Sequence, residues 1–190
     1  MKRIITILLL ICLFCSTGCA KKPEEFSIRN GIKFGMTPEE VIAIEGEENK
    51  TDETIFSDGG AIIYYKDVMM GADTDITFMF DDDGLNFILY DIDDKYFQSN
   101  CESNYNAINE TLREKYGKES VSVVEIDKNN GTEDWITIWG IPQKDSNVEI
   151  LHMAIKDVYG YFWAHTIRYI NNSEGYDYTI KDYQLNADKL

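Results

Sequence analysis

The chain has 190 residues and a formal net charge of −16, with 44% hydrophobic and 13% aromatic residues. That content is too high for a disordered chain, and the acidity excludes nucleic-acid binding, which needs a basic footprint. The length suits one domain or two small repeats, and the charge keeps the domain soluble and favours cations or basic partner patches.

Lys2 and Arg3 precede an apolar run from Ile4 to Phe14 that only Thr6 interrupts. The run is shorter than the about 20 residues that cross a hydrocarbon core, and it fits the apolar centre of an export signal. It ends at Ser16-Thr17-Gly18-Cys19. Small residues before a cysteine supply a slim backbone for cleavage and a thiol for diacylglyceryl transfer. The segment resembles a lipobox, with Ser16 where leucine is usual. Residues 1–18 are therefore expected to be a lipoprotein signal peptide and Cys19 the lipidated N-terminus. Two acyl chains anchor a protein stably where one does not, so the expected location is the cell membrane, on its extracytoplasmic side.

Residues 19–30 then form a tether. Its Lys21 and Lys22 suit either anionic headgroups or a plain solvated linker. Loss of residues 1–18 takes Lys2 and Arg3 with it and moves the charge from −16 to −18. Cys12 and Cys15 leave as well. Cys101 then has no intrachain partner, and a lone cysteine of this kind is more often a small hydrophobe than a reactive or interchain thiol.

Gly35-Met36-Thr37-Pro38-Glu39-Glu40-Val41 is the sharpest local signal. Thr37 and Glu40 have capping-box spacing, Pro38 fits the first helical position, and Met36 and Val41 stand at hydrophobic-staple positions. Val41 and Ile44 share a face, and Gly46 ends this short helix. Strand signals follow at Thr54-Ile55-Phe56, weakly, then from Ala61 to Val68, at Ile76, Phe78 and Phe80, and at Leu85, Phe87 and Leu89. Asp81-Asp82-Asp83-Gly84 reads as a hairpin turn. A longer helix begins near Ser103, with Tyr105, Ile108, Leu112 and Tyr116 at helical spacing and Gly117 as its stop. Four more strand signals run from Val121 to Ile126, Trp135 to Ile141, Val148 to Ile155 and Tyr161 to Ile170.

The pattern predicts an α+β fold of tandem helix-plus-four-strand repeats, over residues 31–96 and 97–170, with a polar tail over 171–190. The repeats are expected to form antiparallel sheet with the helices packed on one face. The Gly35 to Val41 stretch resembles the Gly-Met-Thr/Ser-x-x-Glu/Gln-Val opening of BamE (SmpA/OmlA)-like lipoproteins. The layout resembles the beta-lactamase inhibitory protein fold. No Gly-Met-Thr precedes the second helix. These resemblances imply a small exported lipoprotein that works by protein contact. The motif is helix-start chemistry and carries no active site. Uncharacterised lipoproteins of low-GC Gram-positive bacteria look similar, and the bias toward Ile, Asn, Asp, Lys and Tyr is compatible with that origin.

Catalytic chemistry is poorly supplied. The two histidines, His152 and His165, fall in strands and in no known motif, and Glu149, three residues before His152, points to the opposite face. Nucleophile-elbow, phosphate-loop and dinucleotide fingerprints are absent, so no enzyme activity is expected. Asp81 and Asp83 in one turn, and Asp127 and Asn129 in another, have a partial calcium-ligand pattern that is equally ordinary turn chemistry. Trp135 and Trp139 share one strand face, as do Tyr161, Trp163 and Tyr169. Such rings dominate binding surfaces and also fill cores. The expected function is a membrane-anchored, non-enzymatic module that binds an envelope or extracellular protein. The alternative is an extracytoplasmic sensor or binding protein for calcium or a small ligand.

Overall fold

A computed structural model describes residues 26–57, 59–69, 71–93, 101–143, 147–159 and 162–172. The elements are α1 (Pro38–Glu45), β1 (Lys50–Ile55), β2 (Ala61–Met69), β3 (Ala72–Asp81), β4 (Gly84–Ile92), α2 (Cys101–Tyr116), β5 (Val121–Ile126), β6 (Glu133–Pro142), β7 (Asn147–Lys156) and β8 (Phe162–Asn172). The expected signal peptide, Cys19 and residues 173–190 of the expected tail lie outside the described residues, and Asn171 and Asn172, assigned to that tail from sequence, end β8.

The first helix starts as its sequence dictates. Glu40 N–H donates to the Thr37 hydroxyl at 3.3 Å, and Thr37 N–H donates to the Glu40 carboxylate at 3.0 Å. Two of the N–H groups left over at the helix start are thereby satisfied. Gly46, at φ +93°, closes the other end by donating to the Ile42 carbonyl at 2.8 Å.

The stretch before α1 is held to the sheet by backbone pairing. Gly35 N–H donates to the Leu85 carbonyl, and Leu85 N–H donates to the Met36 carbonyl. This brings Gly84, at φ +95° in the β3–β4 turn, so close that an added Cβ would stand 2.5 Å from the Gly35 carbonyl oxygen. Gly84→Ala is expected to destabilise the fold by at least about 2 kcal/mol, because strained backbone of this kind costs ~1–3 kcal/mol before the clash is relieved. Gly117→Ala is the control. Gly117 has φ +84° but open space around its Cβ position, so only the conformational cost of about 1 kcal/mol applies. Urea unfolding of both variants checks the difference.

All eight strands form one antiparallel sheet, in the order β1-β2-β3-β4-β8-β7-β6-β5. This corrects the expected tandem architecture. The chain is organised by a continuous sheet with only two α-helices among the described residues, not by repeated helix-plus-strand units. The cause is the pairing of β4 with β8, which sets Tyr90 opposite Ile167 and Ile88 opposite Tyr169. The two strand runs therefore do not close as separate units. Buried residues from Ile28 to Tyr169 merge in one cluster instead. Of α1, only Val41 is buried.

That cluster also takes in Ile28, 4% exposed, and Ile32, fully buried. Within residues 26–30, assigned to a tether from sequence, Ile28 is buried and Phe26 stands beside Tyr116 at 5.7 Å between ring centroids, while Asn30 is exposed. A second, smaller cluster lies on the other sheet face. Val121 and Leu151 both stand opposite Ile138, with Ile136 beside them.

Candidate functional site

Strand alternation places Trp135, Thr137 and Trp139 of β6 on the same face as His152, Ile150 and Ala154 of β7, since each faces its cross-strand partner. This is the face that α2 covers. Trp139 is 1% exposed, and its indole N–H donates to the Gly117 carbonyl at the end of α2, at 2.9 Å. Tyr169 is 6% exposed and edges against both Tyr90 and Tyr116. Of the two readings the sequence leaves open for these rings, binding surface and core, burial puts both in the core, where large rings opposite a helix are effective apolar filling. Trp163 lies in β8, where its backbone pairs with Ile155; Tyr161 falls outside the described residues.

Among the described rings of that group, Trp135 has access to solvent. It is half-buried, with Tyr105 edge-on at 5.5 Å. Its indole N–H donates to the Glu133 carboxylate at 3.0 Å, which also accepts from Lys156 at 3.0 Å. These two donors hold the Glu133 carboxyl below its ordinary range, the Trp135 bond first. The Lys156 ammonium stands 5.7 Å from the Trp135 ring centre. Beside Trp135, on the edge strand β5, Val124 is 52% and Ile126 63% exposed. Past the next turn, Val158 packs against Gly131, and it and Tyr159 are exposed.

The two histidines are buried. His152 Nδ1 is 2.6 Å from the side-chain oxygen Oδ1 of Asn109, the Asn109 side-chain amide donates to Thr137 Oγ1 at 3.2 Å, and the Tyr105 hydroxyl stands 3.0 Å from the same threonine oxygen. Tyr105 also stacks on His152 at 4.2 Å. His165 lies 6.1 Å from His152, ring to ring. Burial, and secondarily His165, pushes the His152 pKa well below its usual value; burial pushes His165 down to about 4. This network ties α2 to β6 and β7. Sequence reasoning missed it, although the period-two series Val148, Ile150, His152, Ala154 signals a histidine on a covered face.

Asp81 and Asp83 sit in the β3–β4 turn, where Asp81 accepts from Asp83 N–H at 2.9 Å and from the Asn86 amide. Asp127 accepts from Asn129 N–H at 2.8 Å, and Gly131 N–H closes that turn onto the Asp127 carbonyl. These oxygens are engaged in turn geometry. A groove of about 460 Å³ collects Asp67, Asp73, Asp75, Asp91 and Asp93 around Lys66. Burial raises the Asp91 carboxyl there, and Asp75, its cross-strand neighbour, raises it further. Among the described residues, no three His, Cys, Asp or Glu side chains are placed to hold a metal ion.

No family model, curated protein or solved structure matches the chain. Among the described residues, no helix is long and apolar enough to cross a membrane.

Proposed function

We propose that the chain is a lipid-anchored extracytoplasmic lipoprotein that binds a partner protein without catalysing a reaction, and that β5 is its contact edge. The observation that carries this reading is the contrast between the two edges of the sheet. An edge strand presents unpaired N–H and C=O groups, and protective charges blunt it. β1 carries Lys50, Asp52 and Glu53, with Lys50 bridging Glu47 at 2.7 Å and Glu53 at 2.8 Å, and its one apolar side chain, Ile55, stands 74% exposed at the strand's end. β5 reads Val-Ser-Val-Val-Glu-Ile, and Val124 and Ile126 stand exposed next to the half-buried Trp135.

An extended partner segment adding to β5 would gain main-chain hydrogen bonds, with its alternate apolar side chains on Val124, Ile126 and Trp135. The net charge of −16 favours a segment flanked by basic residues. The signal pattern ending at Cys19, and the resemblance of Gly35 to Val41 to BamE-like lipoproteins, support the extracytoplasmic setting.

Cross-linking on intact cells tests the contact. The unaltered chain is expected to capture a defined protein, and the double variant Val124→Lys, Ile126→Lys to lose it while folding normally, since exposed substitutions usually cost within about 0.5 kcal/mol. Capture that survives the double variant would overturn the assignment of β5. Concentration-dependent dimerisation, abolished by the same variant, would make a second copy of the chain the occupant. Cys19→Ala is expected to release the protein from the membrane fraction; retention with unchanged processing would overturn the anchor.

A further inference from the structure

A second feature lies away from β5. Between α2, residues 28–30 and the middle of the sheet is a cavity of about 340 Å³, within the 300–1,000 Å³ range of small-ligand sites. Its walls are apolar: Ile108 and Leu112 of α2, Ile28, and Ile167 of β8 are each 6% exposed or less, yet all of them line it. Tyr90 and Tyr169 complete the floor, and burial keeps both hydroxyls protonated.

The mouth has a polarity. Arg29 is matched by Glu45 at 2.9 Å and Asp67 at 2.8 Å, so its charge is spent within the fold. Lys115 is different. Its ammonium donates one bond, to the Ile28 carbonyl at 2.9 Å, and among the described residues it pairs with no carboxylate. Two of its N–H donors remain for a ligand. An apolar groove ending at a cation whose own contacts are the Ile28 carbonyl and the Tyr116 ring, 4.9 Å away, is complementary to one kind of molecule. We propose that this cavity binds a single-chain amphiphile with an anionic head, the chain lying on the Tyr90–Ile167–Tyr169 floor and the head at Lys115.

The test is calorimetric titration of the full-length Cys19→Ala chain, prepared without detergent, with dodecanoate, dodecyl phosphate, dodecanol and dodecylammonium below their micellar concentrations. Saturable one-to-one binding of the anions, at least tenfold tighter than dodecylammonium, is expected; the preferred anion tells a carboxylate ligand from a phosphate one. Thr111→Trp projects a ring from an exposed wall position whose hydroxyl bonds only its own helix, and it should abolish binding. Lys115→Gln keeps a donor for Ile28 while removing the charge, and it should weaken the anions at least tenfold and leave dodecanol unchanged. Absence of saturable binding, equal affinity for both head charges, or binding indifferent to Thr111→Trp would each overturn the proposal.

Discussion

Trp139→Ala is expected to cost about 3–5 kcal/mol, the range for removing a large aromatic side chain from a packed core. Against total stabilities of about 5–15 kcal/mol, this removes between about a fifth and the whole of the margin. Two contributions combine. The indole is 1% exposed at the centre of the cluster beneath α2, and its N–H satisfies the Gly117 carbonyl at the end of that helix. Trp139→Phe separates them. It keeps most of the apolar volume and removes the bond to the carbonyl of Gly117, an exposed residue, at a cost of about 0.5–1.5 kcal/mol. Urea denaturation followed by circular dichroism gives both values. A loss below 1 kcal/mol for Trp139→Ala would show that the ring is not core. Partner capture at β5 should survive Trp139→Phe.

The same residue shows how far the sequence could be read. Period-two spacing correctly puts Trp135 and Trp139 on one face, but spacing does not say whether that face meets water or a helix. Only the seating of α2 over β6 decides it, and that is a long-range contact. The start of α1 was legible because its Thr37–Glu40 bonds lie within four residues. β1 was nearly invisible: Lys-Thr-Asp-Glu-Thr-Ile is an exposed edge with no buried face to impose alternation. The tandem reading failed at one point, the pairing of β4 with β8. Ile88 and Tyr90 look the same in sequence whether their strand ends a repeat or meets β8 in mid-sheet. The histidine network was missed for a related reason, because its four side chains come from α2, β6 and β7.

Lowering the pH from 7 to 5 is expected to destabilise the fold through those buried histidines. His165 has its pKa lowered to about 4 by burial, against about 6.5 in an unfolded chain. Between those values the unfolded chain binds a proton that the folded chain does not, so stability rises with pH across the window and falls as pH drops through 6.5. For that single group the loss from pH 7 to pH 5 is about 2 kcal/mol by linkage. His152 adds to it with the same sign, being fully buried with its pKa also lowered by that burial. Asn109 Oδ1 accepts from His152 Nδ1, so the added proton goes to the buried Nε2, which has no hydrogen-bond partner among the described residues. The carboxylates held low by partners, such as Glu133 beside Trp135 and Lys156, lose their contribution only nearer their own range, below the histidine window. Urea midpoints at pH 7, 6 and 5 for the unaltered chain and for His152→Gln, His165→Gln separate the groups. The comparison rests on slopes with pH, because the substitutions themselves shift the baseline. The unaltered chain should lose at least about 2 kcal/mol more than the double variant over this interval. Parallel slopes would mean that both imidazoles reach water in the folded state, and that the covered face of β7 and β8 opens where α2 should close it.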